Sequence, residues 1–579
     1  MYASMLPKTL NPPALDTSLD LPSIAPASEP QQNVNNKLHA STLRIARSLK
    51  RPGKALYVFF PSFGFATLCW LPVLGAIVSP THETIYHLYE PVSALIVPAL
   101  CDLILLALLL TLCLRWARRV PRLEATFWMI LLGATPWIAL RNVSWLYGFH
   151  PPYLLNLTVF AVCLVSIVAF SWMWTLARSP QYARALHLGA SVLDLMAIFG
   201  FILVLQTFWM GWQARHLNDV SSVTPASPQP LATHHPRVIW IVFDELSYDQ
   251  VYGSRYPGLK LPTLDSFAQE ATVFTHVVPA GLITEAILPS LISGVPTDTI
   301  RSSSDGHRLY LHIPAGPAAA HWQAFQPEQT VFSEAQSLGF HPAIVGWYNP
   351  YCRLLSNQLS SCVWANNTGR MLPAGTLKSS LFYSIAYLLS RIPHLFFPHH
   401  FRTYDQTFRA QTHIDDYKQL YTAADKTLTD PSLDFVFLHM PIPHPWGIYD
   451  RRSGVLTTGP STYIDNLALV DKYLAHLRQT LQQQHEWDDA TILIMGDHSW
   501  RTQLIWESSP DWSPEEQRAS HGGKFDDRPF FALKLPQQQT PATISSTVHA
   551  LDTKPLLDAL LRHQIQTPQQ LNAWALRTR

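Results

Sequence analysis

Three apolar runs beyond residue 237 of this 579-residue chain end in side chains that can hold a metal ion or an anion. Val238 to Phe243 runs into Asp244-Glu245. Phe435 to Leu438 runs into His439-Met-Pro-Ile-Pro-His444. Thr491 to Met495 runs into Gly496-Asp497-His498. A fourth group, His521-Gly-Gly-Lys524 with Arg528 just beyond, precedes another apolar stretch. Carboxylates and imidazoles converging from separate strand ends suit a divalent cation. Mixed nitrogen and oxygen donors favour Zn or Mn, and oxygen donors alone would take Mg or Ca. Any one Asp-His pair is more often a capped turn than a ligand set; four such groups at strand ends or nearby loops point to a site.

A nucleophile stands between them. Thr284 comes after Val-Val-Pro-Ala-Gly-Leu-Ile and opens Glu-Ala-Ile-Leu-Pro-Ser-Leu-Ile-Ser-Gly294, which places its hydroxyl at a strand-to-helix turn. Amides at a helix N-terminus stabilise an anionic group. A cation on the hydroxyl oxygen would lower its pKa and activate it. The same residue type is also an ordinary helix N-cap, and both roles can coexist.

The runs themselves indicate the elements that must position these residues. A short continuous apolar run suits a strand buried on both faces, and similar runs recur at 343–346, 435–438 and 491–495 with helical patterns between them, for example around 464–483. This alternation predicts a mostly parallel sheet with helices on both faces. Ligands of such sheets bind beyond the carboxyl ends of the strands, where the chemically rich residues lie. Trp347-Tyr-Asn-Pro-Tyr351 also sits at a strand end and is a candidate pocket wall.

The first part of the chain has another character. Only 14% of all residues are charged, against about 25% in a typical soluble domain. The apolar residues concentrate in five stretches, roughly 55–79, 91–114, 125–140, 153–177 and 188–212. The third is short but continues into Trp145-Leu-Tyr-Gly-Phe, so five membrane spans are predicted. Lys and Arg gather before the first span, between the second and third, and between the fourth and fifth; the other two loops hold only Arg141. That alternation places the N-terminus inside and everything after about residue 212 outside. In a bacterium this means an inner-membrane protein with a periplasmic or extracellular domain. Residues 1–54 read as a disordered cytoplasmic tail, 55–212 as the spans, 213–236 as a Pro- and Ser-rich linker, and 237–579 as the exported domain. Asp102 and Asp194 fall inside spans, where a carboxylate faces protein or a polar path. A net charge of +1 excludes a bulk polyanion such as nucleic acid as partner. Cys352 and Cys362 are the only cysteines outside the spans and are expected to form a disulfide in an oxidising compartment.

Taken together, these motifs resemble the alkaline phosphatase and sulfatase superfamily, and the arrangement of spans and domain is similar to lipoteichoic acid synthases and lipid A phosphoethanolamine transferases. Val238 to Glu245 resembles the first metal-binding strand. Pro262-Thr-Leu-Asp-Ser-Phe-Ala-Gln-Glu-Ala-Thr-Val-Phe274 is similar to the stretch leading to the nucleophile. Thr284 lies ten residues before Gly294, as in sulfatases, and Met495-Gly-Asp-His498 looks like the late metal motif. The resemblance implies an alkaline-phosphatase-like α/β domain behind a five-span helical bundle. It implies a divalent metal held by Glu245, Thr284, Asp497 and His498, with Asp244 contributing. It also implies that His439, His444, His521, Lys524 and Arg528 bind the substrate's anionic group, a second metal or the leaving group. One departure matters: sulfatases mature a Cys or Ser to an aldehyde, and Thr284 cannot give that group. Phosphoester transfer or hydrolysis on a lipid-borne or envelope-glycan substrate is therefore the expected activity. Sulfate-ester hydrolysis and a non-catalytic envelope sensor with a decayed site are the alternatives.

Overall fold

The computed structural model describes residues 56–146, 160–168, 180–217, 235–316, 318–368, 404–507, 509 and 512–577. The predicted tail and most of the predicted linker lie outside these residues. The backbone divides into two compact units, one of residues 1–72 with 103–203 and one of 73–102 with 204–579.

Helices α1 (Leu56–Ile77), α2 (Glu83–Tyr86), α3 (Val92–Ala117), α4 (Pro121–Leu146) and α5 (Pro180–Gln213) precede the sheet. All but the short α2 are long and apolar enough to cross a membrane. Four of the five predicted spans are thus accounted for. Of the fourth, 153–177, only 160–168 is described, and it is helical. Gly64 of α1 explains one close helix contact: a Cβ there would lie 1.8 Å from the carbonyl oxygen of Leu193 in α5. Small residues let apolar helices approach in this way where no hydrophobic force separates protein from lipid. Asn142 of α4 satisfies its buried amide by donating to the Leu68 carbonyl at 2.8 Å.

In the second unit the apolar runs form strands where their sequence predicts. The main sheet contains β1 (Val238–Asp244), β2 (Thr272–Phe274), β3 (Pro342–Trp347), β4 (Ser361–Ala365), β5 (Phe435–Pro443), β6 (Thr491–Gly496), β7 (Phe531–Lys534) and β8 (Ala542–Ile544). Their spatial order is β8-β2-β7-β6-β1-β5-β3-β4. β6, β1, β5, β3 and β4 run parallel, and β7 is reversed. Cys352 and Cys362 are disulfide-bonded across the β3–β4 connection.

Each face of the sheet has its own core. Ile239, Ile241 and Phe243 of β1 pack with Val436, Leu438, Ile492 and Ile494 against one helix layer, which includes α8 (Tyr404–Leu428) and α9 (Tyr463–Gln483). Val238, Trp240 and Val242 pack with Phe435, Phe437, Leu493 and Met495 against a layer that includes α6 (Thr284–Ser293) and α7 (Tyr351–Leu354). Successive side chains of a strand point to opposite faces. This parity decides where the next residues along each strand project.

Candidate active site

Asp244, His439 and Asp497 continue the even alternation of the face that carries α6: Trp240 and Val242 precede Asp244, Phe437 precedes His439, and Met495 precedes Asp497. Strand parity therefore sends three ligand-type side chains towards the start of the helix that Thr284 opens. There they meet. Thr284 Oγ1 lies 3.2 Å from Oδ2 of Asp244 and 3.2 Å from Nε2 of His498. His498 Nε2 is 3.3 Å from Oδ2 of Asp497, and His439 Nε2 is 4.0 Å from Oδ2 of Asp244. All five side chains are buried.

Glu245 is engaged by other partners. It has a positive φ of 63°, and its carbonyl accepts from the Tyr463 hydroxyl at 2.7 Å. Its carboxylate is held by Arg501, whose Nε donates at 2.9 Å and whose terminal nitrogen makes a closer contact. Trp506 Nε1 donates at 3.0 and 2.9 Å to the two carboxylate oxygens. His444 Nε2 stands 3.9 Å from the same group. Arg501 also donates at 2.9 Å to the carbonyl of Leu282, two residues before Thr284, so the Glu245–Arg501 pair fixes the approach to Thr284.

Burial shapes the electrostatics. The Asp244 carboxyl is pushed well above the usual carboxylate range by burial, then by the negative charges of Asp497 and Glu245. Burial raises Asp497 as well. His498 is driven down to about 3, chiefly by burial and then by the Arg501 charge, and His439 to about 4 by burial. His444 is lowered for the same reason. These imidazoles are therefore neutral at pH 7, which is the state a metal ligand or proton acceptor needs.

Whether a divalent cation fits can be judged from the donors. Oδ1 of Asp244, Oδ2 of Asp497 and Nε2 of His439 are buried without a hydrogen-bond partner among the described residues. Buried polar atoms are almost always partnered. Here the orphans are carboxylate and imidazole lone pairs in one cluster, with two carboxyls that repel each other. Asp244, Asp497 and His498 bring one ligand atom each within 4.8 Å of one another, as do Asp244, Glu245 and His444. This donor set fits a cation, and the first trio is the better candidate because Arg501 and Trp506 already saturate Glu245.

Three of the sequence candidates stand apart. His521 and Lys524 are exposed. Arg528 pairs with Asp526 at 2.6 Å and lies over the Tyr248 ring at 4.8 Å. No hydrogen bond or ion pair joins these three to the Thr284 cluster among the described residues. Conversely, sequence patterns single out neither Arg501 nor Trp506, and they give Trp347 and Tyr351 only a wall role. The Trp347 carbonyl and the Tyr351 hydroxyl each lie 2.9 Å from Nδ1 of His439 and orient its ring. The one available signal for Arg501 is its position three residues after His498, on the same strand-end loop.

Comparison with known proteins gives one family match. The profile of the sulfatase family, described as Sulfatase, matches residues 236–551. No curated protein sequence matches the chain. Among solved structures, Ps i-CgsB in complex with k-i-k-neocarrahexaose is 14% identical, covering 58% of this chain and 75% of that one, with a TM-score of 0.37. The phosphonate monoester hydrolase of Silicibacter pomeroyi is 13% identical over 57% and 73%, with a TM-score of 0.35. The lipoteichoic acid synthase of Listeria monocytogenes is 14% identical over 60% and 78%, with a TM-score of 0.33. At such identities their names carry no information on this chain's substrate.

Proposed function

The chain belongs to the sulfatase family, and from that premise we propose that it is a membrane-anchored enzyme that transfers or hydrolyses a phosphoester of an envelope lipid or glycan, with Thr284 as nucleophile. The observation that carries this reading is the placement of Thr284 Oγ1, 3.2 Å from both Asp244 Oδ2 and His498 Nε2. A hydroxyl between two proton acceptors can lose its proton to either as it attacks. Thr in place of a maturable Cys or Ser removes the aldehyde chemistry of sulfate-ester hydrolysis and favours a phosphothreonine intermediate.

In the first step the Thr284 oxygen attacks phosphorus, its proton passes to His498 or Asp244, and the bond to the leaving group breaks. The departing oxygen takes the proton that Thr284 gave up, passed on by His498 or Asp244. In the second step a hydroxyl, amine or water attacks the phosphothreonine, and Thr284 recovers its proton. A divalent cation, Zn or Mn by the donor types, held by Asp244, Asp497, His498 and Thr284 would supply Lewis acidity and neutralise developing charge. Arg501 keeps the Leu282–Thr284 approach fixed throughout.

The loop between α1 and α3 packs on the α/β domain, as Ser302 donating to the Thr81 carbonyl at 2.9 Å illustrates. This supports both lying on one side of the membrane, in keeping with the absence of Lys and Arg from the loop and with an extracytoplasmic domain behind a bacterial inner membrane.

The test is to incubate the purified protein with envelope extract, digest it and weigh the Thr284 peptide. A phosphoryl adduct that disappears in Thr284→Ala supports the reading and identifies the group in transit. Turnover with an unmodified Thr284 refutes the covalent route.

A further inference from the structure

The connection between the first two spans is built into the α/β domain as if it were one of its own elements. Residues 79–91 leave α1, form the single turn α2 and enter α3. A loop that only links two spans needs water, not protein, around its backbone. Here Arg353, itself only 5% exposed, donates to the carbonyls of Ile85 at 3.4 Å and Leu88 at 3.3 Å, and most closely to that of Tyr86. These carbonyls lie at and just beyond the end of α2, where a helix leaves carbonyls without partners of its own. Asn366 of the domain donates to the His87 carbonyl at 2.8 Å. The Tyr86 hydroxyl donates to Asn349 at 3.2 Å. The His87 ring lies tilted against that of Tyr348, with centroids 4.1 Å apart, and its Nδ1 is 3.1 Å from the Tyr348 carbonyl. Gln419 of α8 donates to the Tyr89 hydroxyl at 2.7 Å.

The residues gripped are not arbitrary. Tyr348 and Asn349 lie between Trp347 and Tyr351, the two residues that hold Nδ1 of His439. Tyr86 also belongs to a small apolar cluster with Ala286, two residues after Thr284. One loop thus touches the support of His439 on one side and the nucleophile helix on the other.

We propose that the loop of residues 79–91 is a docking element that holds the Trp347–Arg353 turn in place, with Tyr86 and His87 as positioning residues for the His439 pocket, so that the α/β domain is complete only when this loop is seated. Removing the loop would strand a buried guanidinium and uncover Tyr348, and the turn that carries the His439 partners would lose its outer wall. The docking is independent of which ester is cleaved, and of catalysis itself.

The experiment uses the full chain in detergent, with a site-specific protease sequence placed in the 218–234 linker and an affinity tag on the N-terminus. After cleavage, the fraction from residue 235 onwards has no covalent link to the spans. It is expected to stay on the affinity resin with the tagged half. Arg353→Ala, which removes a charged donor from three carbonyls, is expected to speed its release about tenfold or more. The double variant His87→Ala with Tyr89→Ala should do the same. Its changes lie in the tagged half, so release there cannot come from an altered α/β fragment. Wild-type halves that separate as fast as the variants would overturn the docking. For positioning, amide exchange is monitored in the uncut chain. His87→Ala should accelerate exchange in 347–353 while leaving the C-terminal helix 568–577 unchanged. Uniform acceleration, or none, would overturn the positioning role.

Discussion

Arg501 holds Glu245, with Nε 2.9 Å from Oε1, while the adjacent carboxylate of Asp244 accepts from Thr284 Oγ1 at 3.2 Å. Two acidic neighbours at one strand end thus do different work. Glu245 is fully buried and Arg501 nearly so. Losing one partner of such a pair leaves an uncompensated charge inside the protein. Arg501→Ala should destabilise the α/β domain by about 3–5 kcal/mol. Arg501→Met combined with Glu245→Gln should recover part of that loss. Chemical unfolding of the two variants checks it, and equal stability of Arg501→Ala and wild type would show that the pair is solvated.

Asp244→Asn should behave differently. Its carboxylate has one orphaned oxygen and a second oxygen on Thr284, so the change keeps shape and removes charge where a cation would sit. Divalent-cation retention, measured as metal per chain after dialysis, should fall sharply. Folding stability should hold or rise, because like-charge repulsion with Asp497 is relieved. Unchanged metal content would remove Asp244 from the ligand set.

Thr284→Ser keeps a hydroxyl between Asp244 and His498 and should retain activity within about tenfold. Thr284→Ala should lose roughly three orders of magnitude or more in kcat, as loss of a nucleophile does elsewhere. Tyr351→Phe removes only the hydroxyl that orients His439 and should cost roughly tenfold to a hundredfold, the usual range for a partner behind a ligand or catalytic imidazole. Steady-state kinetics on one substrate rank the three, and a fully active Thr284→Ala would end the nucleophile assignment.

Much of this site is legible in the sequence because strand chemistry is short-range. The runs at 238–243, 435–438 and 491–495 announce buried strands, and the residues just after each run must lie at the carboxyl edge of the sheet. Run endings alone do not separate the roles of Asp244 and Glu245, although parity from Trp240 and Val242 places Asp244 on the face of α6. The Arg501–Glu245 pair spans 256 residues and has no local signature. Nor does the seating of residues 79–91: hydropathy marks where the spans stop but not what a loop between them touches. His521, Lys524 and Arg528 illustrate the reverse limit. Their types suit an anion, yet the exposure of the first two and the Asp526 pairing of the third are properties of a loop path that sequence does not encode locally.

Acid should loosen the seated loop, and His87 gives the sign. Burial, helped by the nearby Arg353 charge and opposed in part by the Tyr348 carbonyl, lowers its pKa from 6.5 to about 4. The ring is therefore neutral when docked. Once the loop is released, His87 takes up a proton below about pH 6.5. Between pH 6.5 and 4 the released form binds more protons than the docked one, so docking strengthens as pH rises through this window and is at full strength above it. At pH 5 the loss spans about one and a half pKa units, on the order of 2 kcal/mol, or roughly thirtyfold in release. The neutral imidazoles of the active site respond to acid in the same direction, and the carboxyls of Glu83 and Glu285, raised by burial, in the opposite one, so the informative quantity is a difference. The linker-cleaved protein should shed its α/β fragment faster at pH 5 than at pH 7.5. His87→Gln keeps a polar side chain but cannot titrate, and it should remove most of that pH dependence while leaving the response of His439 and His498 intact. Identical pH profiles for wild type and His87→Gln would show that the His87 ring is already solvated when the loop is docked.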